Sequence, residues 1–511
     1  MRLKPIKNLH TFVKICVLGI LFLLLVYFRI NPIYYQTVAY TYDQGRDFLR
    51  TAEIVQTKHL TFIGPTTGIM GLFHGAWWYY ILVIPYILFG GWPQGFYYGV
   101  LALHIIALVL FTIFLNKRIG FWATFLFLLI VSVSPYFIKT SVFAANNTLT
   151  PIAILFFLFA LFQFFQTKKK AYAYLIALSL GLILETELSF GIYLIPSFLL
   201  MGILFNDFRK FIAKPNSIFF FLFFLFVSSV PRMLFEIKNR FLQTKTFMTY
   251  LLNPTSTNPQ SLSGAFFDRL RFFESYFLSV FYEYSKPIAF LVLITAILGI
   301  FLFWKKYKHH EKHVITFLSL LILMIFALSL TNRNNFFWEN YLEGLQYIFL
   351  FVLILGLRIL QKIKKLSLVL YGLILLFLFL NVSKFRAMVT DKKGVPSLGL
   401  RADVATVNYL YEQNKDTLFC VRVYTPPVIP YTYNYLFSYY ASIGYVKPSE
   451  GFINRSCWYI FDKEPYQFRV NQWRKDNIPE KAVLKKKIMM KNETAIELWE
   501  EPKSSKKQGL Y

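Results

Sequence analysis

The chain is a succession of apolar runs of about 18 to 20 residues, each long enough to cross a hydrocarbon core of about 30 Å, and the pattern continues until about residue 382. The first run follows Met1-Arg2-Leu3-Lys4 and is apolar from about Phe12 to Phe28 apart from Lys14. It is too long for the apolar region of a cleavable signal and lacks a small-residue cleavage site, so it reads as a membrane span. Short basic loops separate several of the runs: Asn116-Lys117-Arg118, Lys168-Lys169-Lys170, Asp207-Phe208-Arg209-Lys210, Lys305 through Lys312, and Gln361 through Lys365. Such loops stay on the cytoplasmic side. If the apolar stretch 76–90 crossed the membrane, the basic loops after it would fall outside. If it lies in the outer interface, all five fall inside. Charge therefore favours about eleven crossings, near 12–28, 95–115, 120–138, 147–166, 171–187, 190–205, 216–233, 286–304, 313–330, 342–360 and 366–382, with the N-terminus inside and the C-terminus outside.

Three outer segments remain: 29–94, 234–285 and the tail from about 383. The expected organisation is a mainly α, polytopic membrane module over 1–382 and a small extracytoplasmic α/β domain over 383–511. The tail mixes short apolar runs such as Thr417-Leu418-Phe419-Cys420-Val421-Arg422-Val423 with a Pro/Tyr-rich stretch from Tyr424 to Tyr445, which suits short strands and turns. Its last ten residues read as frayed.

Composition agrees with this class: 511 residues, 56% hydrophobic, 20% aromatic and only 16% charged, with a mean hydropathy of +0.49. Lys and Arg exceed Asp and Glu by 54 to 26. No nucleic-acid motif accompanies that excess, and much of it lies in the basic loops, so it reads as a topology signal and nucleic acid is not an expected partner. Cys16 lies in the first span; Cys420 and Cys457 both fall in the outer domain, where they either pair or remain buried thiols. His309, His310 and His313 sit in a basic inner loop without metal-ligand spacing. Sequons at Asn146, Asn381, Asn454 and Asn492 are patterns short enough to arise by chance.

The densest cluster of ionisable and turn residues follows the first span: Tyr42-Asp43-Gln44-Gly45-Arg46-Asp47. Phe48, Leu49, Ala52 and Val55 then share one helical face, with Asp47, Arg50 and Glu53 elsewhere, the pattern of a helix lying on the membrane surface. A carboxylate at the entry of such a helix has two readings. Asp43 is a general base at the interface, or it caps the helix or pairs with Arg46. Beyond Gly64-Pro65-Thr66-Thr67-Gly68 comes Phe73-His74-Gly75-Ala76-Trp77-Trp78-Tyr79-Tyr80. Its rings suit an interfacial belt or the flank of a sugar or prenyl chain, and His74 could meet a phosphate. Ionisable residues at the ends of spans are costly and therefore informative. Glu185 and Glu187 form one such cluster, Arg232, Glu236, Lys238 and Arg240 a second, and Arg333 to Tyr341 a third, all on the expected outer face. Interfacial anchoring is the alternative to a shared site.

These residues resemble the GT-C membrane glycosyltransferases, in particular the branch of protein O-mannosyltransferases and lipid A aminoarabinose transferases. Tyr42-Asp43-Gln44-Gly45 is similar to the family's Tyr-Asp-Glu-Gly-like motif, with Gln44 replacing Glu. His74 stands where the family has Lys-Pro-Pro before juxtamembrane aromatics. Glu185-Thr186-Glu187 replaces a Gln-x-His, Pro231 to Lys238 resembles Pro-x-x-x-Phe-Glu-x-Arg, and Asn340-Tyr341 resembles the pair before the late span. The resemblance implies a GT-C-like fold with non-crossing juxtamembrane helices near 76–90 and an outer C-terminal domain. It also implies inverting sugar transfer from a polyprenyl-phosphate sugar to a glycan, lipid or protein acceptor at the outer face of the cytoplasmic membrane. Asp43 inherits the base assignment, and Arg232, Lys238 or protonated His74 would meet the departing lipid phosphate. Glu185, Glu187, Asp47, Glu236 and Tyr341 complete the expected substrate-binding set. No nucleotide site is needed. A divalent metal is compatible with the wider superfamily, but Asp43, Asp47 and Glu53 are not spaced as a ligand set. The rival classes are a flippase or transporter, which should instead place polar residues at the bilayer midplane, a ligase or polymerase of lipid-linked glycans, and a scaffold presenting the outer domain.

Overall fold

All eleven apolar runs form helices, because an apolar segment in lipid must satisfy its own backbone groups and an α-helix does so within the segment. The computed structural model of the protein describes residues 6–252, 259–281, 286–333, 337–362, 364–390, 399–415, 417–426 and 429–502. The expected frayed end lies, from residue 503 onward, outside the described residues, as does the Asn340 side chain. Among the described residues, six helices are long and apolar enough to span a membrane, and up to nine spans result if each sharply bent helix pair counts as one. The protein is a polytopic membrane protein of mainly α structure with a small C-terminal sheet. The stretch expected to lie in the interface is the helix Trp77–Leu88, twelve residues long. At 1.5 Å per residue it reaches about 18 Å, short of a hydrocarbon core of about 30 Å.

The chain divides into two compact units. The first contains residues 1–30, 60–81 and 99–390. Its core is built from phenylalanine clusters such as Phe164, Phe208 and Phe317, and from close crossings at small residues: a Cβ on Gly356 would lie 2.7 Å from the Ala296 carbonyl oxygen. Helix Phe121–Val133 turns by 72° into Pro135–Ser141. The carbonyls exposed by that break are bound by a fully buried Arg29, whose guanidinium donates to Val131 O (2.9 Å), Phe137 O (2.9 Å) and Ser141 Oγ (2.7 Å). A buried cation is tolerated there because its donors are matched by acceptors.

The second unit contains residues 31–59, 82–98 and 391–511. Its sheet has the order β1-β2-β4-β3, with β1 (Val421–Tyr424) parallel to β2 (Ser456–Phe461), and β4 (Ala495–Glu500) antiparallel to both β2 and β3 (Val483–Met489). Edge strand β3 carries Lys485, Lys486 and Lys487, charges that discourage edge-to-edge pairing. Cys420 and Cys457 form a disulfide across the β1–β2 pair. Helix Tyr42–Thr57 packs on Tyr431–Ser442, with Phe48 stacked on Phe96 at 4.0 Å and edge-on to Tyr435 at 5.4 Å.

Two neighbouring carboxyls in this unit are Asp403, buried on helix Leu400–Asn414, and Asp462, half-buried just after β2. Tyr433 and Thr494 donate to Asp462 Oδ1 at 2.9 and 3.0 Å. Burial, and for Asp403 the neighbouring Asp462, pushes Asp403 well above the usual carboxylate range; burial pushes Asp462 to about 6. A carboxyl that holds its proton more tightly folded than unfolded stabilises the fold below its unfolded pKa of about 4, and that contribution disappears as pH rises through the folded value. The second unit is therefore expected to be more stable at pH 5 than at pH 7.5, read as larger hydrogen-exchange protection factors in β2 after correction for the base-catalysed intrinsic rate, and Asp462→Asn is expected to flatten this difference.

Candidate functional site

The Tyr42-Asp43-Gln44-Gly45-Arg46-Asp47 cluster opens helix Tyr42–Thr57, and each residue has a distinct task. Thr41 is the N-cap, and its backbone N–H donates to Gln44 Oε1 at 2.9 Å, so Gln44 does what the third-position Glu of a capping box does. Gly45 passes against the backbone of Tyr431 and Thr432; a Cβ there would lie 2.4 Å from Thr432 N. Arg46 binds two acids, Asp47 through Nε at 2.8 Å and Asp43 through Nη1 at 2.9 Å. Asp47 is fully buried, whereas the Asp43 side chain is 58% exposed. Asp43 is thus not the cap, and it does form the ion pair with Arg46 that the sequence offers as the alternative to a base. Glu53 pairs with Arg50 on the exposed face.

In the first unit, Glu185 and Arg232 pair, and the segment that carries His74 runs past them. Glu185 ends helix Lys170–Thr186 and is buried. Its Oε1 accepts from Ser229 Oγ at 2.6 Å and lies 3.1 Å from Arg232 Nε. The segment 64–77 is tied to this pair along its length. Gly64 N–H donates to His74 O (2.9 Å) and His74 N–H to Pro65 O (2.8 Å), closing the loop on itself. Phe73 N–H donates to Gln243 Oε1 (2.9 Å), Gly75 N–H to Glu185 O (2.7 Å) and Trp77 Nε1 to Ser228 O (2.5 Å). Gly75 has no room for a side chain, because a Cβ would lie 2.2 Å from Glu185 Oε2.

The remaining expected residues have other placements. Glu236 is buried, and its two oxygens accept from Gln243 N, Thr244 N and Thr244 Oγ1 at 2.7 to 2.9 Å, holding the start of helix Leu242–Leu252. Lys238 is exposed at the end of helix Val230–Lys238 and has no ion pair among the described residues. Glu187 is buried at the break before helix Leu188–Leu204, within electrostatic reach of Tyr341, whose ring packs edge-on against Phe337. Asn146, noted only as a sequon, donates to Thr186 O at 2.7 Å; Asn381 and Asn492 are buried.

Sequence reasoning passed over Ser229, Gln243 and Glu343. Glu343 is buried and accepts from Tyr136 Oη and, at 3.3 Å, from Thr140 Oγ1. The cost of burying a carboxylate at a span end, which singled out Glu185 and Glu187, applies equally to Glu343. Ser229 and Gln243 have no such signal. No group of three or more His, Cys, Asp or Glu able to hold a metal occurs among the described residues.

The fold has known counterparts. ArnT from Cupriavidus metallidurans bound to undecaprenyl phosphate superposes with a TM-score of 0.59 at 10% identity, over 96% of this chain and 97% of that one. The apo form of the same protein gives 0.59 at 9%, over 96% and 98%. The archaeal oligosaccharyltransferase AglB from Archaeoglobus fulgidus gives 0.44 at 12%, over 92% and 59%. No family model and no curated relative matches the chain. At these identities the superposition on ArnT establishes the fold alone: the chain has the fold of ArnT over nearly its whole length.

Two substitutions test the local geometry. Glu185→Ala leaves Arg232 facing a desolvated gap, a loss on the order of 3 kcal/mol for one partner of a buried pair; a clear drop in the unfolding midpoint of the detergent-purified protein is expected. Gly45→Ala is expected to separate helix Tyr42–Thr57 from Tyr431–Ser442, seen as faster proteolysis between residues 31 and 59 without change in the helical circular dichroism.

Proposed function

We propose that the protein is a membrane glycosyltransferase that moves a sugar from a polyprenyl-phosphate donor to an acceptor hydroxyl. The observation that carries this reading is the near full-length superposition on ArnT in its undecaprenyl-phosphate-bound form. The local chemistry supports it. A lipid phosphate leaving group needs a cation that is already oriented, and Arg232, held by Glu185 next to the strapped His74 segment, is such a group.

In the proposed reaction the acceptor oxygen attacks the anomeric carbon and its proton passes to Asp43. The bond between that carbon and the phosphate oxygen breaks, and the electron pair leaves on the polyprenyl phosphate. Attack opposite the leaving group inverts the anomeric centre. Asp43 is the proposed base because it carries the motif's carboxylate and is not committed to a cap or to burial. His74 and Lys238 are the proposed supplementary phosphate contacts. The site is proposed to face the extracytoplasmic side of the cytoplasmic membrane.

The test is release of free polyprenyl phosphate from membrane-extracted polyprenyl-phosphate sugars by purified protein. Asp43→Asn is expected to slow release by about 10²- to 10⁴-fold, the usual contribution of a positioned base. Equal rates in wild type and Asp43→Asn overturn the base assignment, and no release from either overturns the function.

A further inference from the structure

A second recess, wholly within the second unit, has a chemistry unlike the rest of the molecule. It holds about 230 Å³ and is walled by the Gln36 turn, the Trp92–Gln94 segment, helix Leu400–Asn414 and the end of helix Tyr431–Ser442. None of its twelve lining residues is charged, in a protein whose formal net charge is +28. A phosphate, carboxylate or ammonium group would find no counter-charge in its wall.

The wall carries two other kinds of group. The first is aromatic. Tyr440 is stacked on Tyr411 at 5.3 Å, and Tyr445 packs against both at 5.0 and 5.2 Å, so this cluster is rigid before anything binds. Tyr439, also in the wall, stands edge-on to Tyr440, and the Trp92 ring packs against Tyr98. The second kind is amide. Gln36 Nε2 donates to Gln94 Oε1 at 2.7 Å, and Gln94 Nε2 donates to Ile33 O at 2.9 Å. That chain orients the Gln36 amide, whose carbonyl oxygen is its remaining acceptor. Asn408 Oδ1 accepts from Tyr440 Oη, which leaves the Asn408 amide N–H groups as donors. Gln36 itself is in the left-handed region, at φ +58°, a conformation that a glycine would take with less strain.

Flat rings beside oriented amide donors and acceptors, with no charge, match one ligand class. A neutral pyranose presents apolar C–H faces for the rings and a rim of hydroxyls that donate and accept. The volume sits slightly below the about 300 Å³ at which drug-sized sites begin, which suits one sugar ring. We infer that this recess is a carbohydrate-binding subsite for one neutral hexopyranose unit.

The test uses saturation-transfer NMR on the full-length protein in an amphipol without sugar groups, with methyl glycosides of mannose, glucose, galactose and N-acetylglucosamine as probes. Transfer to ring protons of at least one glycoside is expected. Tyr439→Ala is expected to weaken it by about fivefold, and Asn408→Leu by about tenfold, since a sugar hydroxyl then loses its partner. No transfer to any of the four probes overturns the subsite. Transfer that survives both recess substitutions in variants with unchanged unfolding midpoints also overturns it, as does transfer to N-acetylphenylalaninamide in place of the glycosides. Because binding is read without turnover, a protein that binds glycosides but releases no polyprenyl phosphate would overturn the proposed function and leave the subsite standing.

Discussion

A carboxylate taken out of water must be matched group by group, and one end of the first unit is arranged around one such match, at Glu185. Burying an unpaired carboxylate would cost more than a small domain's margin of stability, so the side chain fixes its surroundings. Ser229 and Arg232 approach one oxygen, and the backbone carbonyl of the same residue takes the Gly75 N–H. Two segments far apart in sequence, the 64–77 strap and the break before helix Val230–Lys238, are thereby held to the end of one helix. Gly75 is where the strap passes closest, and there a side chain is excluded. Glu236 acts in the same way one step further out, where its oxygens start the next helix, and Gln243 in that helix holds Phe73. The charged residues at the span ends are therefore joints of the fold as well as candidate contacts for a phosphate.

The second unit depends on a different constraint, close approach without charge. Helix Tyr42–Thr57 reaches Tyr431–Ser442 because Gly45 has no side chain and because Phe48 inserts among Phe96, Tyr97 and Tyr435. This explains why segments 31–59 and 82–98, which interrupt the membrane region in sequence, belong to the same compact unit as the C-terminal sheet.

Where hydrophobic period and charge bias were the signals, the sequence was informative. Apolar runs marked the helices, because in lipid the hydrocarbon thickness sets their length, and the short helix Trp77–Leu88 follows from the charge of distant loops. Glu185 and Arg232 stood out too, since ionisable groups at span ends need a reason to be there, and the two form a pair. What could not be read was pairing. That Glu185 selects Arg232 while Glu236 turns to Gln243 and Thr244 depends on backbone geometry across break points, and serine or glutamine partners carry no cost that would single them out. The sheet was visible only as short apolar runs, and the Cys420–Cys457 pairing was left open because two cysteines fit a bond or two buried thiols equally well until strands β1 and β2 are known to be neighbours.

The same distinction bears on Asp43. A carboxylate at a helix entry has three ordinary structural uses: capping, neutralising a buried cation, or a surface ion pair. Capping is done by Thr41 and Gln44, and the buried partner of Arg46 is Asp47. What remains is the 2.9 Å ion pair with Arg46, in which the Asp43 side chain is 58% exposed while that of Arg46 is 15% exposed and also bound by Asp47. The pairing expected from the sequence is therefore present, and because solvent screens a half-exposed pair it leaves the outward side of the Asp43 carboxylate in contact with water.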